Sequence, residues 1–145
     1  MGLRTYDPKD YDLDFLGGLI DGFADDTFIE IEASADWFEL DVGAGGDVSR
    51  TRLNDRSANC KITLKQTAAA NDFLAAALAL DDAAGTGVGP FILKDRNGTT
   101  VVACANAFIK KPANVGLAKS QTPREWEIIL SKTTAFVPGS TNLPA

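Results

Sequence analysis

Hydrophobic and polar residues alternate at every second position along several short stretches of the chain. In Phe28–Ala33 the two glutamates fall on one side and the two isoleucines on the other, and residues 59–65 alternate in the same way. Such alternation is typical of a strand with one packed face and one wet face. Between them we predict a short strand over 37–42 and a polar loop over 43–58 that lacks helix or strand periodicity. Loops beyond about 12–15 residues are usually functional or disordered, so we interpret this loop as an arm that contacts a neighbouring molecule.

Further alternating stretches predict strands on both sides of this central region. The first two form a hairpin whose turn holds Gly17 and Gly18, since glycine tolerates a positive φ. Asn97–Gly98 is a strong signal for a type I′ turn between two later strands, and Pro112 ends the second of them. These outer strands are predicted over 11–16, 19–21, 91–94, 99–110 and 125–130, the last strand of the chain.

One stretch follows the helical period instead. Asn71 is a good N-cap, Gly85 stands where a C′ residue is expected, and five apolar residues lie between them at helical spacing. We therefore predict a helix over 71–84 that packs on one face of a sheet. Its apolar stripe consists of Phe73, Leu74, Ala77, Leu78 and Leu80.

These elements predict a mainly β chain of the α+β class. Seven or eight short strands with one inserted helix favour an antiparallel β-sandwich or partly open barrel, with a flanking α-helix and a long inter-strand arm. A chain of 145 residues fits one domain, which we place at 1–136. Residues 137–145 are rich in Pro, Gly, Ser and Thr, so we expect this tail to be exposed or ordered only by a partner.

Composition narrows the range of functions. The chain carries a formal net charge of −6 and no histidine. Counterion-release binding to nucleic acid is therefore disfavoured, and the commonest general base and metal ligand is missing. Cys60 and Cys104 lie in strand patterns, and we expect both to be buried and reduced. We find no secretory signal and no apolar run long enough to cross a bilayer, so we expect no membrane segment.

No pattern indicates catalysis, a cofactor or a metal. The pairs Glu30/Glu32 and Asp12/Asp14 lie on wet strand faces, without the apolar surroundings that raise one carboxyl pKa for acid–base catalysis. Asp25–Asp26 lacks the regular oxygen spacing of a calcium loop. We therefore expect a protein that is not an enzyme and that has no catalytic residues, no cofactor and no metal.

Several motifs occur in an order that carries a resemblance. They are GFADDTFI (22–29), VGAGGDVSRT (42–51), ITLKQT (62–67) with the helix start at 71–72, KDRNGTT (94–100), KKPA (110–113) and REW (124–126). Together they resemble the tail tube proteins of contractile-tailed (myovirus-type) bacteriophages. The likeness covers about residues 5 to 132, and it consists of turn and interface signatures rather than catalytic ones.

The resemblance implies a structural virion protein of the phage tail. Six copies would form a ring whose inner strands join into one barrel around a lumen, and rings would stack into a tube for genome delivery. Partners would be the chain itself and the tail sheath, tape-measure, baseplate and tail-terminator proteins, in a virion assembled in the host bacterial cytoplasm. DNA would pass without specific binding, because an anionic wall repels phosphates.

Two sets of residues are candidates for these roles. The arm is our candidate for ring-to-ring contact, and the alternative is a flexible surface loop. Its residues are Gly43, Gly45, Gly46, Arg50, Arg52, Asp55 and Arg56. The candidate lumen-facing residues are Asp12, Asp14, Glu30, Glu32, Lys61 and Lys65. Alternatively, the two lysines pair with the two glutamates across neighbouring strands.

Two other functions remain open at this point. The first is the tube protein of a type VI secretion or pyocin-like injection machine, which shares the tube architecture. The second is a non-catalytic β-sandwich module that binds carbohydrate or peptide. Such a module is expected to cluster aromatic side chains on one surface, whereas Trp37 and Trp126 lie in strand patterns.

Overall fold

A computed structural model describes residues 3, 6–24, 28–96 and 98–141 of the chain. Within them ten strands and one α-helix follow a short 3₁₀ turn at Pro8–Asp10. The helix, α1, spans Ala70–Ala84. The strands are β1 Tyr11–Phe15, β2 Gly18–Ile20, β3 Ile29–Ala33, β4 Phe38–Val42, β5 Val48–Arg52, β6 Ala58–Leu64, β7 Gly89–Asp95, β8 Val101–Lys111, β9 Arg124–Leu130 and β10 Thr133–Val137.

Eight of the strands form one antiparallel sheet. Its order is β2-β1-β7-β8-β9-β6-β3, and β10 also pairs with β8. In the described part of the chain the two end strands, β2 and β3, do not pair with each other, so the sheet stays open instead of closing into a barrel. The remaining strands, β4 and β5, form a separate two-stranded sheet. The predicted fold class, mainly β and antiparallel with one flanking helix, is confirmed.

The long strand β8 joins the two halves of the large sheet, which are β2-β1-β7 on one side and β9-β6-β3 on the other. Its first half pairs with β7 and β10, and its second half pairs with β9. The buried positions are Val102 and Cys104 and then Ala107 and Ile109, so the alternation breaks at 105–106, where the register with β7 shifts. A bulge of this kind bends the strand and increases its twist. One long strand can therefore serve both halves of a curved sheet.

A single hydrophobic core joins the two halves of the sheet and the helix. Phe15 and Phe91 come from β1 and β7, with ring centroids 6.5 Å apart, while Ile62 and Ile128 come from β6 and β9. Leu74 of α1 is fully buried in the same cluster. Burying a side chain of this size stabilises the fold by about 1.5–3 kcal/mol, so these contacts hold the curved sheet and the helix together.

The start of α1 differs from the prediction. The helix begins at Ala70, so Asn71 lies within the first turn and does not cap it. Its side-chain amide donates a hydrogen bond to the backbone carbonyl of Lys65 at 2.8 Å. Its carbonyl oxygen accepts one from the indole N–H of Trp126 at 3.0 Å. Asn71 therefore links the helix to β9, while Gly85 ends the helix at a φ of 69° as predicted.

The predicted apolar stripe of the helix was too wide. Leu74 and Ala77 are buried and Leu78 is half-buried, but Phe73 and Leu80 are exposed. The core-facing side of α1 is therefore narrow, and an apolar part of the helix faces outward.

The prediction that the strand over 125–130 is the last one is wrong. β10 follows β9 after two residues and continues along the same edge of β8. Thr133 at its start is buried, and its hydroxyl donates a hydrogen bond to the backbone carbonyl of Arg56 at 2.8 Å. Beyond β10, Thr100 donates to the carbonyl of Gly139 at 3.0 Å. The tail is thus held by its own chain at least to this residue, whereas 142–145 lie outside the described residues, as do Asp25–Asp26 and Asn97.

Candidate interaction surfaces

The predicted arm is a β-hairpin. β4 and β5 pair from Phe38 with Arg52 to Val42 with Val48. The turn between them is closed by the backbone N–H of Gly43, which donates to the carbonyl of Asp47 at 2.7 Å. The prediction of an irregular loop over 43–58 is therefore wrong for β5. Its alternation was hidden because arginine occupies two of the three positions on the apolar face of that strand.

The two faces of this hairpin differ in chemistry. One face, which we call the hairpin face, carries Phe38, Leu40, Val42, Val48, Arg50 and Arg52, and the other carries Glu39, Asp41, Ser49 and Thr51. The four apolar side chains of the hairpin face are 43–67% exposed. An isolated two-stranded hairpin is at best marginally stable in water, and a contiguous exposed apolar patch marks an interaction site. The hairpin face therefore has the properties of a surface that a partner covers.

Aromatic contacts anchor the base of the hairpin to the main sheet. The Arg56 guanidinium lies 4.2 Å from the ring centroid of Trp37. That ring in turn meets Phe136 of β10 edge-on, with centroids 6.2 Å apart. Cation–π contacts of this kind contribute about 0.5–2 kcal/mol. They fix the point from which the hairpin projects.

The residues proposed for the arm therefore divide into two groups. Gly43, Gly45, Gly46, Arg50 and Arg52 lie on the projecting hairpin. The other two, at 55–56, lie at its base and contact their own chain. There the Ser57 hydroxyl and backbone N–H donate hydrogen bonds to the carboxylate of Asp55 at 2.7 and 3.0 Å, and these bonds lower the pKa of that carboxyl.

Charges of alternating sign cross the outer face of one half of the sheet. Glu30 of β3 lies opposite Lys61 of β6, Lys61 lies opposite Glu127 of β9, and Glu127 lies opposite Lys111 of β8. The ammonium group of Lys110 is 3.7 Å from the Glu127 carboxylate. Opposite charges on adjacent strands stabilise a sheet by a few tenths of a kcal/mol to about 1 kcal/mol per pair. We call this set the charged row.

The six candidate lumen residues are divided between the two ends of the strand order. Glu30, Glu32 and Lys61 share the face of the charged row, although Glu32 lies opposite Asn59 and Lys65 follows the end of β6. The alternative pairing of lysines with glutamates therefore matches the register only for Glu30 with Lys61.

Asp12 and Asp14 lie near the other end of the sheet order, on β1. They are opposite Lys94 and Ile92, and the Asp12 carboxylate is 3.5 Å from the guanidinium of Arg96. The outer face around them also exposes apolar side chains, among them Ile92 and Leu19. This half of the sheet is therefore less polar on its outer face than the half that carries the charged row.

Sequence reasoning missed a second projecting surface, the loop that joins β8 to β9. Val115 and Leu117 are 80% and 79% exposed there. The loop is held by its own chain, because Arg124 donates hydrogen bonds to the carbonyls of Asn114 and Gly116 at 3.3 and 3.2 Å. The signal in the sequence was the pair Val115 and Leu117, which lies outside every predicted strand and helix.

The outward side of α1 was also missed. Leu80 is 60% exposed, and small side chains surround it. A cavity of about 460 Å³ opens beside the helix and is lined by Ala75, Leu78, Ala79, Asp82, Pro112 and Trp126. The helix has three aspartates and no basic residue, so this surface combines apolar and acidic chemistry.

The described residues were candidates for two kinds of chemistry, metal binding by His, Cys, Asp or Glu and reaction of a cysteine thiol. No group of three or more His, Cys, Asp or Glu among them could hold a metal ion. Both cysteines are free and buried, as predicted, and burial raises the pKa of the Cys60 thiol. No helix in the described ranges is both long and apolar enough to cross a membrane.

Comparisons with known proteins show the family to which the chain belongs. The family described as "Bacteriophage PhiTE tail tube protein" matches residues 16–137. Structural protein ORF10 of Pseudomonas phage KPP10 is 28% identical over 115 residues, which cover 78% of this chain and 66% of that protein. A chain from the virion of a native gene transfer agent particle shares the fold, with a TM-score of 0.55 and 16% identity over 90% of this chain and 100% of that one. The chain therefore belongs to the family of bacteriophage tail tube proteins and is a structural protein of the virion.

Proposed function

We propose that six copies of this chain form a ring, and that rings stack into the tube of a contractile phage tail through which the genome is ejected. The observation that carries the proposal is the uncovered hairpin face. Its four exposed apolar residues have no role in the core of their own chain, whereas a neighbouring copy would remove them from water. A head-to-tail contact of this kind builds an open stack, and a second one that closes builds a ring.

The open sheet supports lateral contact within a ring. Its end strands, β2 and β3, present backbone groups along their outer edges, and exposed edges are prone to uncontrolled pairing. Joining such edges between neighbouring copies satisfies these groups and continues the sheet around a lumen.

The charged row supports an assignment of the lumen wall. A wet surface on which both signs alternate does not hold a polyanion tightly, and the net charge of −6 adds repulsion. We therefore place Glu30, Glu32 and Lys61 on the lumen, with Lys65 at its rim. Asp12 and Asp14 lie beside exposed apolar residues, and we assign their face to contact with neighbouring protein instead.

In this role the chain acts without catalysis or cofactor. Its partners would be the tail sheath, tape-measure, baseplate and tail-terminator proteins, and assembly would take place in the host bacterial cytoplasm. DNA would pass through the lumen without specific binding.

Electron microscopy of the purified protein over a concentration series tests this proposal, with mass photometry alongside. We expect rings of six 15.4-kDa subunits with a central hole, and tubes at higher concentration. The double variant Leu40→Ser/Val48→Ser should lose the tubes. Its control, Glu39→Ser/Ser49→Ala on the opposite hairpin face, should keep them. Both should melt like the wild type, because exposed substitutions usually change stability by less than about 0.5 kcal/mol.

A wild-type protein that stays monomeric at every concentration, and also when baseplate and tape-measure proteins are added, would refute the proposal. Tubes that survive the Leu40→Ser/Val48→Ser change unaltered would remove the hairpin from it.

A further inference from the structure

We infer that the hairpin face docks onto the outward side of helix α1 in a second copy of the chain. This inference rests on the proposed self-assembly and names the surface that receives the hairpin. The receiving surface, which we call the helix socket, consists of Ala75, Ala79 and Asp82 with the cavity beside them.

The shape of the helix socket suits a strand that carries large apolar side chains. Ala75 and Ala79 lie one helical turn apart, and such small residues allow the backbone of a partner to approach closely. Beside them the cavity of about 460 Å³ is walled by Leu78, Pro112 and Trp126. It has room for one of the side chains that the hairpin exposes.

Charge complementarity selects the hairpin face over the opposite face. The hairpin face adds two arginines to its apolar residues, and the opposite face carries Glu39 and Asp41. The helix supplies Asp72, Asp81 and Asp82 and no cation. The basic face of the hairpin is therefore attracted to the helix socket and the acidic face is repelled by it.

The position of the acids strengthens this argument. Asp81 and Asp82 lie in the last turn of α1, where the helix dipole disfavours negative charge. Asp81 accepts a hydrogen bond from the backbone N–H of Gly87 at 3.3 Å, whereas Asp82 is exposed at the rim of the cavity. An arginine from a neighbour would offset the unfavourable interaction of Asp82 with the helix end.

The occupant has to come from a second copy. The hairpin face and the socket are both exposed in the same chain, and the contacts of Trp37 with Arg56 and Phe136 hold the base of the hairpin against β10. The hairpin face and the helix socket lie on different parts of one chain, so their contact between two copies is head-to-tail. Each copy added in this way presents its own hairpin face to the next.

Cysteine cross-linking tests the contact directly. Leu40→Cys and Ala79→Cys are made as separate proteins, mixed in tube-forming conditions and oxidised. We expect a disulfide-linked dimer that contains one copy of each, because the native Cys60 and Cys104 are buried and stay silent. Ser49→Cys replaces Leu40→Cys as the matched control on the opposite hairpin face, and it should give no dimer with Ala79→Cys.

Charge reversal provides the second measurement. Arg52→Glu and Asp82→Arg should each raise the protein concentration needed for tubes at least tenfold, and combining both in one chain should restore most of the loss. Circular dichroism checks that each variant is folded, and Asp82→Asn replaces Asp82→Arg if that variant is not. Wild-type tubes with no cross-link and no effect of Asp82→Arg or Asp82→Asn would overturn this inference and leave the proposed function standing. A wild type that never assembles would overturn both.

Discussion

Leu74 and Leu80 offer the same side chain on the same helix in two environments, so replacing each by alanine gives a matched test. Leu74 is 0% exposed within the core and Leu80 is 60% exposed. Truncating a buried leucine to alanine costs about 2–5 kcal/mol, because a cavity remains where the side chain was. The same change at Leu80 should alter the free energy of unfolding by less than about 0.5 kcal/mol.

These energies convert into large differences in measured stability. At about 2–4 °C per kcal/mol for a chain of this size, Leu74→Ala should lower Tm by roughly 4–20 °C. With a urea m-value of about 2 kcal/mol/M, it should lower the urea midpoint by roughly 1–2.5 M. Leu80→Ala should leave both within about 2 °C and 0.3 M of the wild type. The assay is urea unfolding followed by tryptophan fluorescence at a concentration where the protein is monomeric.

Equal losses at the two positions would refute the reasoning. They would mean that α1 buries Leu80 as well as Leu74, so its orientation on the sheet would differ from the one described. A loss at Leu80 alone would place the wrong face of α1 against the sheet. A third possibility, no loss at either position, would mean that the helix contributes nothing to the fold of the monomer.

Two other predictions concern stability alone. Burial raises the pKa of the Cys60 thiol above its ordinary value of 9.0, so the folded state keeps a proton that the unfolded state releases. The stability that this thiol contributes is complete below pH 9 and is lost as pH rises, by up to about 1.4 kcal/mol per pH unit. Urea midpoints measured at pH 8, 9 and 10 should therefore fall less steeply in Cys60→Ala than in the wild type. Midpoints that fall equally in both proteins would exclude Cys60 as the cause of the loss. An alanine Cβ at Gly87 would lie 2.8 Å from the carbonyl oxygen of Ala77, so Gly87→Ala should cost about 1–3 kcal/mol. Gly45→Ala, where a Cβ meets nothing within 4 Å, should not shift Tm, and equal shifts would contradict the steric argument.

The alternation of apolar and polar residues predicted those strands that have one buried face and one exposed face. In β6, Cys60, Ile62 and Leu64 are buried and Lys61 is exposed, so the period of two is visible in the sequence. β5 escaped prediction because Arg50 takes an apolar-face position with its guanidinium 4.4 Å from the ring centroid of Phe38. A pattern of polar and apolar residues assigns that arginine to the solvent-exposed face, although its aliphatic stem lies along an apolar surface.

Other features depend on partners that are distant in the chain. Asn71 reads as a helix cap, yet it bonds to Trp126, 55 residues away. The charged row needs β3, β6, β9 and β8 to lie side by side, and that order follows from packing of the whole sheet rather than from any one strand. The helix socket is likewise assembled from α1 and from β9, so no single stretch of sequence displays it.

The strand order also has a consequence for the timing of folding. β1 pairs with β7, and β6 pairs with β9, so the sheet needs contacts between distant segments, and such topologies fold in milliseconds to seconds. A hairpin such as β4–β5 can form within about 1–10 μs. In a newly made chain β4 and β5 can therefore pair transiently at an early stage, whereas α1 has a surface to pack on only after the sheet has formed. If tubes grow as proposed, a subunit would present the helix socket only once its whole sheet has folded, so the rate of sheet folding would limit how soon it can receive the next copy.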